Sequence, residues 1–308
     1  MYSLSGNLIK IFCFLYIMIT ERKIESCKTG EIKMEGEPKR IINKGLMSVP
    51  HTLNVIAKKG GGKTTTLVRL YRAYQKGKHP AFDYNNIFIL SPCYTMDSKQ
   101  QLIKAPEDNI YDTTEDMDGS LEDIIAKINE SLDEYDDYED KMAAWKMFKN
   151  WDGPLELFPS EELLKIYDPF TETLKEPQTD YIHGRPQSLI YIDDAAGSGF
   201  LSDTTGNGVL TNFIIKSRHY NCSVWIVSQH YKNIARCIRG NASCLLLFKT
   251  QDESVLKEIQ KEVGGDISKE DFYKVYKHAT KKPYDFLLID LANGKNKFRR
   301  NFNRVINI

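Results

Sequence analysis

The chain has 308 residues, 41% of them hydrophobic, and 42 basic residues against 42 acidic ones, so its formal net charge is zero. That length and apolar content can build one large α/β domain with an insertion, and they exclude a disordered or low-complexity chain. Six cysteines without a Cys-x-x-Cys pair exclude a zinc ribbon or disulfide framework and read as free thiols in a reducing compartment.

Reading from the N-terminus, Ile11 to Ile19 form an unbroken apolar run of nine residues. A membrane-spanning helix needs about 20, and no small-x-small cleavage site follows to mark a signal peptide. Residues 1–46 therefore read as an N-terminal extension. Its apolar run is a buried helix or strand, or part of a translated segment upstream of Met34 or Met47, and no stable membrane span is expected.

Residues 53–70 carry the strongest signal. Leu53, Val55 and Ile56 predict a buried strand, and Leu67, Leu70, Tyr71 and Tyr74 recur at helical spacing on one face. Between them lies Ala57-Lys58-Lys59-Gly60-Gly61-Gly62-Lys63-Thr64, followed by Thr65. This is a phosphate-binding P-loop with Ala in place of its first Gly. Glycines let backbone N–H groups wrap a polyphosphate, and the following helix points its positive end at the same anion. Lys63 reaches the β- and γ-phosphates, the Thr64 hydroxyl ligates Mg²⁺, and the expected ligand is a nucleoside triphosphate.

Ile87 to Leu90 predict a second strand. An acidic block follows it, with fifteen Asp or Glu against Lys127 alone between residues 107 and 140. Leu121, Ile124, Ile125 and Ile128 keep helical spacing there, which predicts a docked helix with a charged outer face inside a helical acidic insertion at about 100–185.

Leu189 to Ile192 then run into Asp193-Asp194, as a buried parallel strand with two carboxylates at its C-terminal end. In open α/β sheets ligands bind at that end. Asp193 is expected to hold Mg²⁺ and Asp194 to orient or deprotonate the attacking water. A helix from Gly208 to Lys216 leads to Arg218, and the strand Ser223 to Ser228 ends in Gln229, a candidate γ-phosphate sensor. Cys244 to Phe248 form a fourth apolar run after it.

Residues 274–304 reverse the charge, with nine Lys or Arg against two Asp, interleaved with aromatics. Phe286 to Leu291, an Asn293-Gly294 turn and Lys297 onward predict a β-hairpin. Lys295, Lys297, Arg299 and Arg300 are its candidate DNA contacts, with the aromatic side packing inward.

The order P-loop, IYIDD, SRHYNCSVWIVSQ and IARCIRGNASCLLLFK resembles the FtsK–HerA superfamily of DNA-pumping ATPases. It is most similar there to the genome-packaging ATPases of large cytoplasmic DNA viruses, virophages and related transposons. The resemblance covers residues 47–308; Asp194 departs from the Glu usual in the wider superfamily. It implies a P-loop sandwich of the additional-strand type, with a mostly parallel central sheet of order 5-1-4-3-2. The implied function is ATP-driven translocation of double-stranded DNA into a viral capsid by a homo-oligomeric ring, with a capsid or portal-type protein as partner, in the host cytoplasm at the viral factory. It also implies an arginine acting on the neighbouring subunit's site. Arg218, eleven residues before Gln229, is the first candidate and Arg239 the second, with Arg236 also competing. Two alternatives stay open, a HerA-like DNA-processing or conjugation ATPase and a slowly hydrolysing, nucleotide-gated assembly protein. Guanine selection is unsupported, because neither Asn-Lys pair continues as Asn-Lys-x-Asp.

Overall fold

The structure is a computed structural model that describes residues 20–23, 29–30, 42–43, 45–77, 79–112, 116–193, 195, 199–202, 206–265, 267–292 and 297–307. The Ile11–Ile19 run, Asp194, Lys295 and the Asn293-Gly294 turn lie outside these residues.

In chain order the strands are β1 (Thr20–Lys23), β2 (Thr29–Gly30), β3 (Ile42–Asn43), β4 (Thr52–Ile56), β5 (Ile87–Leu90), β6 (Ile110–Tyr111), β7 (Tyr167–Asp168), β8 (Thr173–Leu174) and β9 (Ser188–Asp193). They continue as β10 (Cys222–Ser228), β11 (Cys244–Phe248), β12 (Phe286–Asp290), β13 (Phe298–Arg300) and β14 (Arg304–Asn307). The helices are α1 (Lys63–Gln75), α2 (Met117–Lys149), α3 (Ser160–Ile166), α4 (Val209–Lys216), α5 (Arg236–Gly240), α6 (Glu253–Val263) and α7 (Lys269–Ala279).

Ten strands share one sheet, in the order β1-β14-β13-β12-β11-β4-β10-β9-β5-β6. From β11 to β6 every pairing is parallel, and from β11 back to β1 every pairing is antiparallel. Numbered along the chain, the central strands β11-β4-β10-β9-β5 read 5-1-4-3-2, the order expected. Two strands separate in sequence, β9 and β10, thus stand between the P-loop strand and β5. The expected C-terminal hairpin is β12 against β13, with Ile289 opposite Phe298.

Alternation along the strands sorts the core into two layers. Leu53, Val55, Ile89, Leu189, Tyr191, Trp225 and Val227 face α1, which contributes Leu67, Leu70, Tyr71 and Tyr74. Ile56, Phe88, Leu90, Ile190, Ile192, Val224 and Ile226 face the other way, against α2, α4, α6 and α7. Parallel strands covered on both faces carry near-continuous apolar runs, which is why β9 reads Leu-Ile-Tyr-Ile without a polar break.

The acidic block folds as α2, a helix of 33 residues. Asp116 caps it, accepting from Gly119 N at 2.9 Å, and Lys146 and Lys149 close its last turn, the arrangement that complements the helix dipole. Its first turns dock through Leu121, Ile124, Ile128 and Leu132, and its acidic residues lie on the solvent side. Among the described residues no helix is long and apolar enough to cross a membrane.

Candidate functional site

The sequence between β4 and α1 forms a loop that only glycine permits. Gly60 and Gly62 have φ of 75° and 94°, left-handed values that side chains rarely adopt. A Cβ on Gly61 would sit 3.0 Å from the Lys58 carbonyl oxygen, which is instead the acceptor for Gly61 N at 3.0 Å. Helix α1 then begins with no side-chain cap and no acidic residue in its first turn. A helix start without these keeps its orphan N–H groups and positive dipole end available to an anion.

The parallel strands end together on this side of the sheet. Ser228 is in register with Ile56, and Val227 with Asp193, so the loop, Asp193 and Gln229 stand along one edge. A cavity of about 1080 Å³ opens there. Of the residues expected from sequence, Gly60, Gly62, Lys63, Thr64, Thr65, Asp193 and Gln229 all line it; Gly61 lies inside the loop, off the wall. Lys59, Lys63, Arg69 and Lys99 give the wall a cationic character suited to polyphosphate.

Asp193 is 2% exposed. Its Oδ2 accepts from Tyr191 Oη and from Gln100 Nε2, each at 2.9 Å. Gln100 in turn accepts from Ser91 Oγ at 3.0 Å through its Oε1. No motif singles out Gln100, which lies in a short 3-10 turn of the segment read as an insertion. A buried carboxylate beside a threonine hydroxyl on one wall is the hard oxygen donor set that Mg²⁺ takes, and Thr64 and Asp193 fit it. Among the described residues no group of three or more His, Cys, Asp or Glu could hold a metal ion. Cys222 and Cys244 are buried free thiols whose pKa values burial pushes up, which keeps them protonated.

No protein-family model matches the sequence, and no curated protein matches it. Similar solved structures include the genome-packaging NTPase of Sulfolobus turreted icosahedral virus 2 in complex with ATP-γS, at 13% identity and a TM-score of 0.47, over 83% of this chain and 98% of that one. The DNA-packaging ATPase of Sulfolobus turreted icosahedral virus is 15% identical, with a TM-score of 0.48 over 82% and 96%. The pCW3 conjugation coupling protein TcpA, in a monomer form with ATP-γS, is 11% identical, with a TM-score of 0.44 over 91% and 66%.

The candidate arginines divide sharply. Arg218 is exposed in the turn between α4 and β10, at the opposite end of the sheet from the P-loop, where it lines a small polar cavity with His51, Ser217 and Asn241. The seven residues of β10 put roughly 20 Å between that turn and Gln229. Arg239 is largely covered by its own chain. Only 8% exposed, it pairs with Glu258 at 2.9 Å and Glu262 at 3.1 Å and covers the Tyr231 ring at 4.4 Å. Its charge is thus partly matched within its own chain, whereas Arg236 is exposed at the start of α5.

The hairpin's basic residues also depart from expectation. Arg299 is 2% exposed and pairs with Asp290 at 2.8 Å, so it does not offer its charge to DNA in this fold. Arg300 pairs with Asp285 at 2.9 Å and is mostly covered. Strand alternation placed these side chains against acids at strand ends, Asp285 and Asp290, that the charge count treated only as minor offsets. Lys297 is half-buried, with its ammonium 5.6 Å from the Phe298 ring centre.

Proposed function

We propose that this protein is a Mg²⁺-dependent ATPase that translocates double-stranded DNA, packaging a viral genome into a capsid. The observation that carries the reading is the single cavity in which the glycine loop, Lys63, Thr64, Asp193 and Gln229 converge at one sheet edge. Backbone N–H groups of residues 60–65 cradle the phosphates, and Lys63 offsets charge on the β- and γ-phosphoryl oxygens. Thr64 and Asp193 would hold Mg²⁺, which would supply neutralisation of the charge on the transferred group. Asp194 positions the attacking water as a general base. The Gln229 amide, which lines the same cavity, would meet both the γ-phosphate and that water.

The DNA half of the reading rests on the sequence resemblance and on charge. Outside the acidic block, basic residues outnumber acidic ones, which favours a polyanionic partner. A homo-oligomeric ring, a capsid or portal-type partner and a place at the viral factory in the host cytoplasm belong to the same proposal.

The test is steady-state ATP hydrolysis with and without linear double-stranded DNA. DNA should stimulate turnover, and Lys63→Ala should abolish it in both conditions. An unstimulated but Lys63-dependent rate would leave the ATPase standing and remove translocation. Copurification of capsid proteins with the wild-type chain then separates packaging from DNA processing of another kind.

A further inference from the structure

Tyr284 is a large aromatic that serves no core. It lies in the connection from α7 to β12, is 70% exposed, and holds φ at 64°. An aromatic residue keeps that left-handed backbone only where its surroundings enforce it. They do so here through the next residue. Asp285 accepts from Arg300 Nε at 3.0 Å and from Asn301 Nδ2 at 2.9 Å, and Asn301 Oδ1 accepts from Phe286 N at 3.2 Å. Both residues after Tyr284 are thereby pinned to the end of β13. Arg300, expected to meet DNA, instead holds this connection in place.

The ring is aimed at the phosphate loop. A Cβ on Gly62 would fall 3.1 Å from Tyr284 Cδ1, so the ring edge abuts the last glycine before α1. The same cavity wall continues through Phe302 and Asn303. Phe302 is braced edge-on against Phe286, with centroids 4.9 Å apart, and Asn303 is exposed. Phosphate-binding groups occupy the loop side of the cavity, yet its volume of about 1080 Å³ is that of a site for a whole drug-sized ligand. One wall is cationic and rich in backbone N–H groups, whereas the other is aromatic and amide-bearing.

We propose that Tyr284, with Phe302 and Asn303 beside it, forms the subsite for the nucleobase of the triphosphate ligand. The Tyr284 face stacks on the base, and the Asn303 amide, a donor and an acceptor together, meets its edge. The inference rests on reading the P-loop as a triphosphate site. The strained backbone then has a use, since it holds a flat apolar surface at a fixed distance from the phosphates.

The experiment measures binding of Mg²⁺–ATP and of inorganic tripolyphosphate to the full chain by calorimetry, for wild type, Tyr284→Ala, Tyr284→Phe and Lys63→Ala. Loss of one base–aromatic stack should weaken ATP about tenfold in Tyr284→Ala, leave tripolyphosphate within about twofold, and leave Tyr284→Phe near wild type. Equal weakening of both ligands in Tyr284→Ala would show that the ring only shapes the phosphate loop, and no change in either would place the base elsewhere. Either result overturns the subsite while the P-loop reading stands. If wild type binds neither ligand, or Lys63→Ala binds both unchanged, the P-loop reading falls and the subsite with it.

Discussion

Gln100 Nε2 donates to Asp193 Oδ2 at 2.9 Å, while Ser91 Oγ donates to Gln100 Oε1 at 3.0 Å. The serine hydroxyl fixes which end of the amide faces the carboxylate, and the amide fixes the carboxylate's rotation. Both partners come from the segment after β5, so the chain beyond the second strand of the sheet positions a group at the end of the third.

Gln100 is therefore expected to act through Asp193. Replacing an outer partner of a metal-holding carboxylate costs about 10–100-fold in metal affinity or activity. Gln100→Ala should raise the Mg²⁺ concentration needed for half-maximal hydrolysis by a factor in that range, with little effect on metal-free nucleotide binding. Gln100→Glu, which sets a second carboxylate against the first, should be worse. A Mg²⁺ titration of Gln100→Ala that overlays the wild-type curve would reduce Gln100 to a packing residue.

Arg299 and Asp290 predict a stability effect where the sequence suggested a DNA effect. Their side chains are 3% and 5% exposed, and Arg299 also donates to the Gly45 carbonyl ahead of the P-loop strand. Removing one member of a buried ion pair leaves the other charge uncompensated, at a cost of about 3–5 kcal/mol. Urea unfolding of Arg299→Ala should show a loss of that order, and the double change Arg299→Met with Asp290→Leu should recover most of it. The salt dependence of DNA binding should keep its slope in the double variant. A drop of about 0.9 in the log–log slope would return Arg299 to the DNA surface.

His51 supplies a pH dependence. It is 3% exposed, its Nδ1 lies 2.9 Å from the Ser48 carbonyl oxygen, and its Nε2 accepts from Trp225 Nε1 at 3.0 Å. That pairing requires the neutral ring with its proton on Nδ1. Burial lowers its pKa from 6.5 to about 4, opposed by the smaller effect of the Ser48 hydrogen bond. Between those values the unfolded chain binds a proton that the native chain does not. The contribution to stability is thus complete above 6.5 and lost as pH falls toward 4, where the loss levels off. At 1.36 kcal/mol per unit it amounts to about 3 kcal/mol. His51→Gln, which can keep both hydrogen bonds, should lack this pH dependence in chemical unfolding between pH 7 and pH 4. An unchanged dependence in that variant would show that His51 titrates normally in the native state.

The parallel sheet was legible in the sequence because each strand there is a short apolar run that gives way to polar or glycine-rich sequence at the ligand edge. Thr52–Ile56, Ser188–Asp193 and Cys222–Ser228 end at or just before the P-loop, Asp194 and Gln229. Helix α2 was legible through its apolar stripe despite its acidity. Pairings between distant segments were not. Nothing in the spacing of Gln100 signals an Asp193 lying 93 positions away, and the adjacent arginines of β13, Arg299 and Arg300, look the same in sequence whether they meet phosphates or buried acids. Tyr284 reads as an ordinary turn aromatic until Gly62 is found beneath it.

Arg218 is the first candidate for an arginine that completes a neighbour's site, and exposed Arg236 is more accessible than the buried, paired Arg239. Arg218 stands at the start of β10 while Gln229 stands at its end, roughly 20 Å away, so it cannot reach the phosphates of its own subunit. An arginine supplied in trans stabilises charge on the transferred phosphoryl group, with effects of about 10³–10⁵-fold on turnover. Arg218→Ala should therefore lose most hydrolysis yet bind ATP normally, because the triphosphate cradle lies wholly at the other sheet edge. Lys63→Ala should also be inactive. Mixing the two variants, after allowing subunits to exchange, sets the intact P-loop of one beside the intact Arg218 of the other, and hydrolysis should return. Full activity of Arg218→Ala alone would remove the assignment and shift it to Arg236. Inactivity of the mixture, with assembly verified by sedimentation, would show that Arg218 supports its own fold rather than a neighbour's chemistry.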